Sequence, residues 1–213
     1  TLCSQGDGCQ TMKTLIKICG LSNQESVDVA VQSGADLIGF VFAKTSPRCI
    51  SPEQASQLSQ SIPGQVKTTA VMLHPSATEV QEVLDRFQPY YLQTDAKDFA
   101  YLNLPEGCRP LKVYRDLSSF NPSDIDPHEL SLFEGKNSGV GELVNMDRAA
   151  DVAHHASIIL AGGLNPSNVG SVLQAVQPQG VDVSSGVESK PGIKDVQKIR
   201  DFINIVRDYD VME

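Results

Sequence analysis

The feature that most constrains this chain is a regular beat: short apolar runs recur along it, and most segments between them carry a helical period. The runs lie at residues 15–18, 37–42, 69–73, 90–92, 111–114, 130–133, 157–160 and 181–183. Runs this short and this apolar suit strands covered on both faces, as in a parallel sheet. Ser22 marks a first helix start, and Ser51-Pro52-Glu53-Gln54 offers an N-cap, a proline at the first helical position and a capping-box glutamine. Behind that cap, Ala55, Leu58 and Ile62 keep to one face. Ser76 and Glu79 repeat the capping-box spacing ahead of Val80, Val83, Leu84 and Phe87. Asn165-Pro166 is expected to open another helix with Val169, Val172, Leu173 and Val176 aligned. Asp195 is expected to cap the last helix, whose buried stripe is Ile199, Phe202, Ile203 and Val206.

Eight strand–helix units of roughly 25 residues each suit an eight-fold (β/α) barrel of about 200 residues or more. The expected fold class is therefore α/β, a single TIM barrel over residues 12–213. A doubly wound open sheet has the same alternation and is the alternative. The fourth and fifth units are the weakest, because the helical pattern is short and ragged around 95–102 and 121–128. Residues 1–11 are polar, with Gly6 and Gly8, and read as a disordered arm or a cloning remnant ahead of a natural start at Met12.

Composition narrows the function classes. No segment is long and apolar enough to span a bilayer, and the first twelve residues carry no signal-peptide stretch. The five cysteines, Cys3, Cys9, Cys19, Cys49 and Cys108, are odd in number and lack C-x-x-C spacing, which argues against a disulfide framework or a structural zinc site. A reducing, cytoplasmic home is the expectation. The net charge of −9 weighs against nucleic acid, whose affinity comes from basic patches. It also means that an anionic metabolite must be attracted by local donors, such as an arginine or backbone N–H groups. No exposed apolar helix face stands out, so the sequence carries no signal of oligomeric state.

The residues able to carry chemistry cluster at expected strand ends. Cys19 closes the first strand, and on an eight-fold barrel that end faces the active-site mouth; its plainer reading is a small buried hydrophobe. Gly162-Gly163 and Ser184-Ser185-Gly186 follow the last two strands, where such barrels commonly hold phosphate, although glycines also make ordinary tight turns. Arg48 lies in the loop after the second strand and suits bidentate capture of a carboxylate or phosphate, against a reading as a solvated loop residue. Glu134 ends the sixth strand, facing the mouth unless it is an ordinary surface acid. Asp182 sits inside Val181-Asp182-Val183, where an unpaired carboxylate is costly, so it is expected to hydrogen-bond ligand hydroxyls or tie down a neighbouring loop. Adjacent His154 and His155 point about 100° apart on a helix and read as surface. Cys49 and Cys108 read as structural. Gly139-Val140-Gly141 and Lys136 lack the context of a nucleotide motif.

Together these segments resemble phosphoribosylanthranilate isomerase, over nearly the whole chain from Met12. The resemblance rests on Lys17-Ile18-Cys19-Gly20-Leu21, Gly34-Ala35-Asp36-Leu37-Ile38-Gly39-Phe40, Ser46-Pro47-Arg48, the run from Leu160 to Pro166 and the run from Gly180 to Glu188, with Lys194-Asp195 after it. It implies the barrel fold and an Amadori rearrangement of tryptophan biosynthesis on a small phosphorylated substrate, with no metal or organic cofactor. It further implies Cys19 as general base, Arg48 on the anthranilate carboxylate, Gly162, Gly163, Ser184, Ser185 and Gly186 around the ribose phosphate, and Asp182 on the sugar. The family's acid is an aspartate ending the sixth strand; Glu134 stands there, with Asn145-Met146 in place of an Asp-Trp pair. The family's strand-four Gln-Leu-His-Gly appears as Gln93-Thr94-Asp95-Ala96, without its histidine. A thiol base at neutral pH calls for a helix dipole or a nearby cation to favour the thiolate. Another phosphosugar isomerase, epimerase or aldolase, and a non-catalytic phospholigand-binding barrel, are the other readings of the same residues.

Overall fold

The computed structural model describes residues 13–136 and 144–212. The arm at 1–11 with Cys3 and Cys9, the start at Met12, and Gly139-Val140-Gly141 lie outside these residues. Eight parallel strands close into a barrel in sequence order: β1 (Leu15–Cys19), β2 (Leu37–Val41), β3 (Lys67–Val71), β4 (Tyr91–Asp95), β5 (Arg109–Arg115), β6 (Ser131–Glu134), β7 (Ile158–Leu160) and β8 (Gly180–Val183). β8 pairs with β1, with Lys17 opposite Asp182 and Ile18 opposite Val183, so the sheet is closed and the open-sheet alternative is excluded. Each of the eight apolar runs became a strand.

The helices follow the apolar stripes. They are α1 (Gln24–Ser33), α2 (Pro52–Ser59), α3 (Ala77–Leu84), α4 (Met146–His155), α5 (Val169–Val176) and α6 (Val196–Met212). Ser76 and Glu79 form the reciprocal capping box on α3, satisfying two backbone donors at once. Asp195 accepts from the N–H groups of Gln197 and Lys198 at the head of α6, whose Ile199, Phe202, Ile203 and Val206 are fully buried. The ragged fourth and fifth units contain only 3₁₀ turns, Ala96–Ala100 and Pro122–Asp124.

Three helix starts differ from expectation. α1 is capped by Asn23 rather than Ser22. Ser51 caps α2, but the Gln54 side chain donates to the Ser22 carbonyl instead of completing a capping box. Asn165-Pro166 does not open α5; its backbone N–H is held by the Asn168 side chain in a turn, and the helix begins at Val169. A proline three residues past a glycine pair fits a turn as readily as a helix start, and the local side-chain bond decides.

Two apolar layers result. Between barrel and helices lies the main core, with Phe40 edge-on to Phe87 at 5.5 Å and Phe202 fully buried. Inside the barrel, Leu37, Leu111, Val113, Leu132, Ile159 and Ala161 pack against one another as a separate cluster. A short hairpin that the apolar pattern does not announce, β9 (Glu188–Lys190) and β10 (Ile193–Lys194), follows β8. Truncating Phe202 to alanine empties a site with no solvent access, so urea denaturation is expected to show a loss of about 3–5 kcal/mol. A loss under about 1 kcal/mol would mean that α6 is not tied to the main core.

Candidate active site

At the carboxyl end of the strands is a cavity of about 330 Å³ lined by Cys19, Arg48, Gln93, Asp95, Arg115, Glu134, Gly162, Gly163, Asp182, Ser184 and Ser185, among others. A larger hollow of about 560 Å³ lies around Thr14, Pro127, His154, Gln179 and Tyr209, beside the amino-terminal ends of β1 and β8. Size does not select the site: chemistry on eight-fold barrels sits at the carboxyl face, and the ionisable groups converge there. His154 and His155 are exposed as expected, each ring Nδ1 facing a backbone oxygen one turn back, on Ala150 and Asp151. Cys49 is exposed rather than structural, while Cys108 is partly buried and its thiol is pushed up to about 11 by desolvation.

Cys19 is 6 % exposed and neighbours the fully buried Lys17, two residues earlier on the same face of β1. The Lys17 ammonium bonds the Asp182 carboxylate at 2.9 Å and acts electrostatically on the neighbouring Cys19. Burial alone pulls the lysine down, but Asp182 and Cys19 more than offset it, and the ammonium is held above its ordinary range. The expected cation beside the thiol is thus present, though its effect is not the expected one. Burial is the largest influence on Cys19, Asp182 adds to it, and the pull of Lys17 and Lys194 towards thiolate does not overcome them. The Cys19 thiol stands above its ordinary range.

Asp182 has its partner in Lys17, on the facing strand rather than in a loop. Arg48 is forked onto Glu188 of β9, Nε to Oε1 at 2.6 Å and Nη2 to Oε2 at 2.9 Å, and this bond holds the guanidinium above its usual range. Glu188 also accepts from Lys194 at 3.0 Å; burial pushes its carboxyl up, but Arg48 and Lys194 together bring it below the ordinary carboxylate range. Lys194, lowered by burial, also donates to the Ser184 carbonyl at 2.8 Å. The Ser184 hydroxyl donates to the Cys19 carbonyl, stitching the turn after β8 to the end of β1.

The two late turns lie against each other. A Cβ on Gly186 would come within 1.9 Å of the Leu164 oxygen, so only glycine permits this approach. Gly162 and Gly163 adopt φ of +94° and +66°, and their N–H groups find no acceptor among the described residues. The Gly163 carbonyl is pinned by the side chains of Asn165 and Asn168, so those N–H groups belong to a fixed turn. Fixed, unpaired backbone donors beside a cavity are what a phosphate group requires.

Glu134 faces the cavity and is ion-paired to Arg115 at 2.6 Å; Arg115 also bonds Asp95 at 2.9 Å. His74 arrives from the loop after β3 with Nε2 3.0 Å from the Asp95 carboxylate and Nδ1 3.1 Å from that of Asp98. His74, Asp95 and Asp98 are the cluster of metal-ligand type among the described residues. Their ligand atoms are already committed to one another, to Arg115 and to Thr94, so we assign no metal there. Asn145, aligned with the family's aspartate, caps α4 through its side chain. Sequence reasoning missed Lys17, His74, Arg115, Glu188 and Lys194 as members of the site. A lysine and an arginine inside otherwise apolar strands were the available signals for Lys17 and Arg115.

Comparison with known proteins follows the same lines. The sequence profile of the family described as N-(5'-phosphoribosyl)anthranilate (PRA) isomerase matches residues 16–205. The N-(5'-phosphoribosyl)anthranilate isomerase of Pelobacter propionicus is 34% identical over 204 residues, covering 91% of this chain and 95% of that protein. The enzyme of the same name from Geobacter metallireducens is 37% identical over 199 residues, covering 88% and 96%. Among solved structures, phosphoribosyl anthranilate isomerase from Thermus thermophilus superposes with a TM-score of 0.80 at 27% identity, over 92% of this chain and 99% of that one. A phosphoribosyl anthranilate isomerase in complex with reduced 1-(o-carboxyphenylamino)-1-deoxyribulose 5-phosphate superposes with a TM-score of 0.74 at 29% identity, with the same coverage.

Iodoacetamide at neutral pH is expected to label the exposed Cys49 well before Cys19, and labelling of Cys19 is expected to climb only as pH passes the ordinary thiol range of about 8.5. Peptide mass mapping of a timed reaction reads both rates. Fast labelling of Cys19 at pH 7 would mean that Lys17, not burial, governs the sulfur.

Proposed function

Because the chain belongs to the N-(5'-phosphoribosyl)anthranilate isomerase family, we propose a division of labour among its own residues for that family's reaction. The reaction converts N-(5-phosphoribosyl)anthranilate to 1-(2-carboxyphenylamino)-1-deoxyribulose 5-phosphate, an aldose–ketose isomerisation in tryptophan biosynthesis. Glu134 protonates the furanose ring oxygen, which opens the sugar to a protonated Schiff base. Cys19 as thiolate then takes the proton from C2, leaving an enolamine that tautomerises to the ketone. Arg48 receives the anthranilate carboxylate, for which it has already the right shape: its fork holds the Glu188 carboxylate, while Nη1 makes no hydrogen bond among the described residues. The N–H groups of Gly162 and Gly163, with Ser184, Ser185 and Gly186, hold the phosphate, and Asp182 contacts the sugar.

The observation that carries this reading is that Cys19, Arg48, Glu134, Asp182 and both late turns line one cavity. Proton accounting sharpens it. The reaction needs a carboxylic acid at Glu134, which is ion-paired to Arg115, and a thiolate at Cys19, whose thiol burial holds above its ordinary range. Substrate assists, because the Schiff base brings a cation close to the sulfur. We further read the protein as one barrel domain acting in the cytoplasm on a small phosphorylated metabolite. The free thiols at Cys19, Cys49 and Cys108 fit a reducing compartment, and the charge of −9 fits a protein with no nucleic-acid partner.

Turnover of the anthranilate compound, followed by loss of its fluorescence, tests the roles. Cys19→Ala is expected to lower kcat by about 10²- to 10⁴-fold with the fold intact by circular dichroism. Glu134→Gln is expected to lower kcat by roughly 10²-fold or more with KM little changed, and Glu134→Asp to retain substantial activity. Normal turnover in either the alanine or the glutamine variant would remove that residue from the mechanism.

Arg48→Ala is expected to weaken the anthranilate compound by about 1.5–3 kcal/mol, the worth of a charge-assisted contact, while ribose 5-phosphate is barely affected. Equal losses for both ligands in inhibition assays would move Arg48 to the phosphate.

A further inference from the structure

Where the family pattern has a histidine on the fourth strand, this chain has Asp95, and a histidine from the loop after β3 lies against it. His74 lies in the loop after β3 with φ of +46°, a left-handed conformation uncommon for a non-glycine residue. What holds it is visible: Nε2 meets Asp95 Oδ2 at 3.0 Å, and Nδ1 meets Asp98 Oδ2 at 3.1 Å. Thr94 donates to the same Asp98 oxygen at 2.7 Å. Beyond Asp95 the chain of contacts continues inward. Arg115 Nε lies 2.9 Å from Asp95 Oδ1, and Arg115 Nη1 lies 2.6 Å from Glu134 Oε1. Arg115 and Glu134 are register partners on β5 and β6, so the backbone sets the spacing of the pair. Side chains of Asp95, Arg115 and Glu134 are 9 %, 16 % and 12 % exposed, which shields their charges from solvent far more than at a surface pair.

We propose that Arg115 and Asp95, with His74 behind them, are positioning residues that aim the Glu134 carboxyl and set how readily it carries a proton. The proposal rests on the reading of Glu134 as the acid. Its logic comes from the extra methylene of glutamate relative to aspartate. A longer, more flexible acid needs an external clamp to hold one rotamer, and a planar guanidinium anchored on Asp95 supplies one. The same clamp carries charge. Arg115 favours the carboxylate, Asp95 opposes that by neutralising Arg115 and by its own repulsion, and His74 moderates Asp95. Other charged or titratable groups around the cavity are Cys19 and Lys17 from β1, Arg48 from the loop after β2, Asp98 beyond β4, Asp182 from β8, and Glu188 and Lys194 from the hairpin; Lys136 follows Glu134 in sequence. None of these contacts Arg115 in the way that Asp95 and Glu134 do.

Opposite signs make the test selective. Carbon-13 NMR of carboxyl-labelled glutamate follows Glu134 directly, its resonance assigned by its disappearance in Glu134→Gln. Arg115→Gln removes the cation and is expected to move the Glu134 midpoint up by on the order of one pH unit or more; Asp95→Asn leaves Arg115 unopposed and is expected to move it down. His74→Gln is expected to move it slightly up, since Asp95 then faces Arg115 without a second partner. Arg115→Lys keeps the charge but loses the fork, so the midpoint is expected to stay near wild type while kcat falls about tenfold with little change in KM. Circular dichroism melting checks that each variant folds, and Arg115→Lys stands in if Arg115→Gln does not. Midpoint shifts of the same sign in Arg115→Gln and Asp95→Asn, or no shift in either, would overturn the proposal. If Glu134→Gln itself keeps normal turnover, the acid reading fails instead, and the NMR shifts would then describe an ion-pair chain without a catalytic role.

Discussion

The rest of the site depends on one buried ion pair, Lys17 with Asp182. These residues face each other across the β1–β8 seam, the closure that turns a sheet into a barrel, with Lys17 fully buried and Asp182 exposed only at the cavity. Removing one partner of such a pair leaves an uncompensated buried charge and typically costs about 3–5 kcal/mol. Because Lys17 and Asp182 both act electrostatically on Cys19, the seam and the sulfur share one electrostatic environment. Barrel closure and the placing of Cys19 are therefore one event, not two.

A second ion-pair system holds the other side of the mouth. Arg48, Glu188 and Lys194 join the loop after β2 to the hairpin after β8, and Ser184 carries the connection back to the Cys19 carbonyl. An overall negative field is thus compatible with an anionic substrate, because the cations are concentrated where the strands end. Where like charges come near each other they share an opposite one: Arg48 and Lys194 meet on Glu188, and Asp95 and Glu134 meet on Arg115.

The strands were legible because an apolar run bounded by turn residues has few other uses, and the stripe on α6 was legible because its cap and its period agree. Helix starts were less so: Asn165-Pro166 carries the residues of a helix opening, but the Asn168 side chain makes it a turn. Cys19, Arg48, Glu134 and Asp182 could be singled out since strand-end position on a barrel is itself a chemical address. Their partners could not. Lys17 and Asp182 are 165 residues apart, Arg48 and Glu188 are 140 apart, and no local pattern pairs them. His74 was the least visible, since its place next to Asp95 follows from a left-handed backbone in a loop and from contacts made only after folding.

The separation of Lys17 from Asp182 has a consequence for the newborn chain. Synthesis delivers Cys19 early and β8 late, so for most of elongation the sulfur has neither its lysine–aspartate neighbour pair nor its cover. During that interval it is an ordinary exposed thiol, open to oxidants and electrophiles. Completion of the eighth strand brings Asp182 to Lys17 and, in the closed barrel, the sulfur is buried. Closure of the last strand onto the first is therefore what takes the thiol out of solvent.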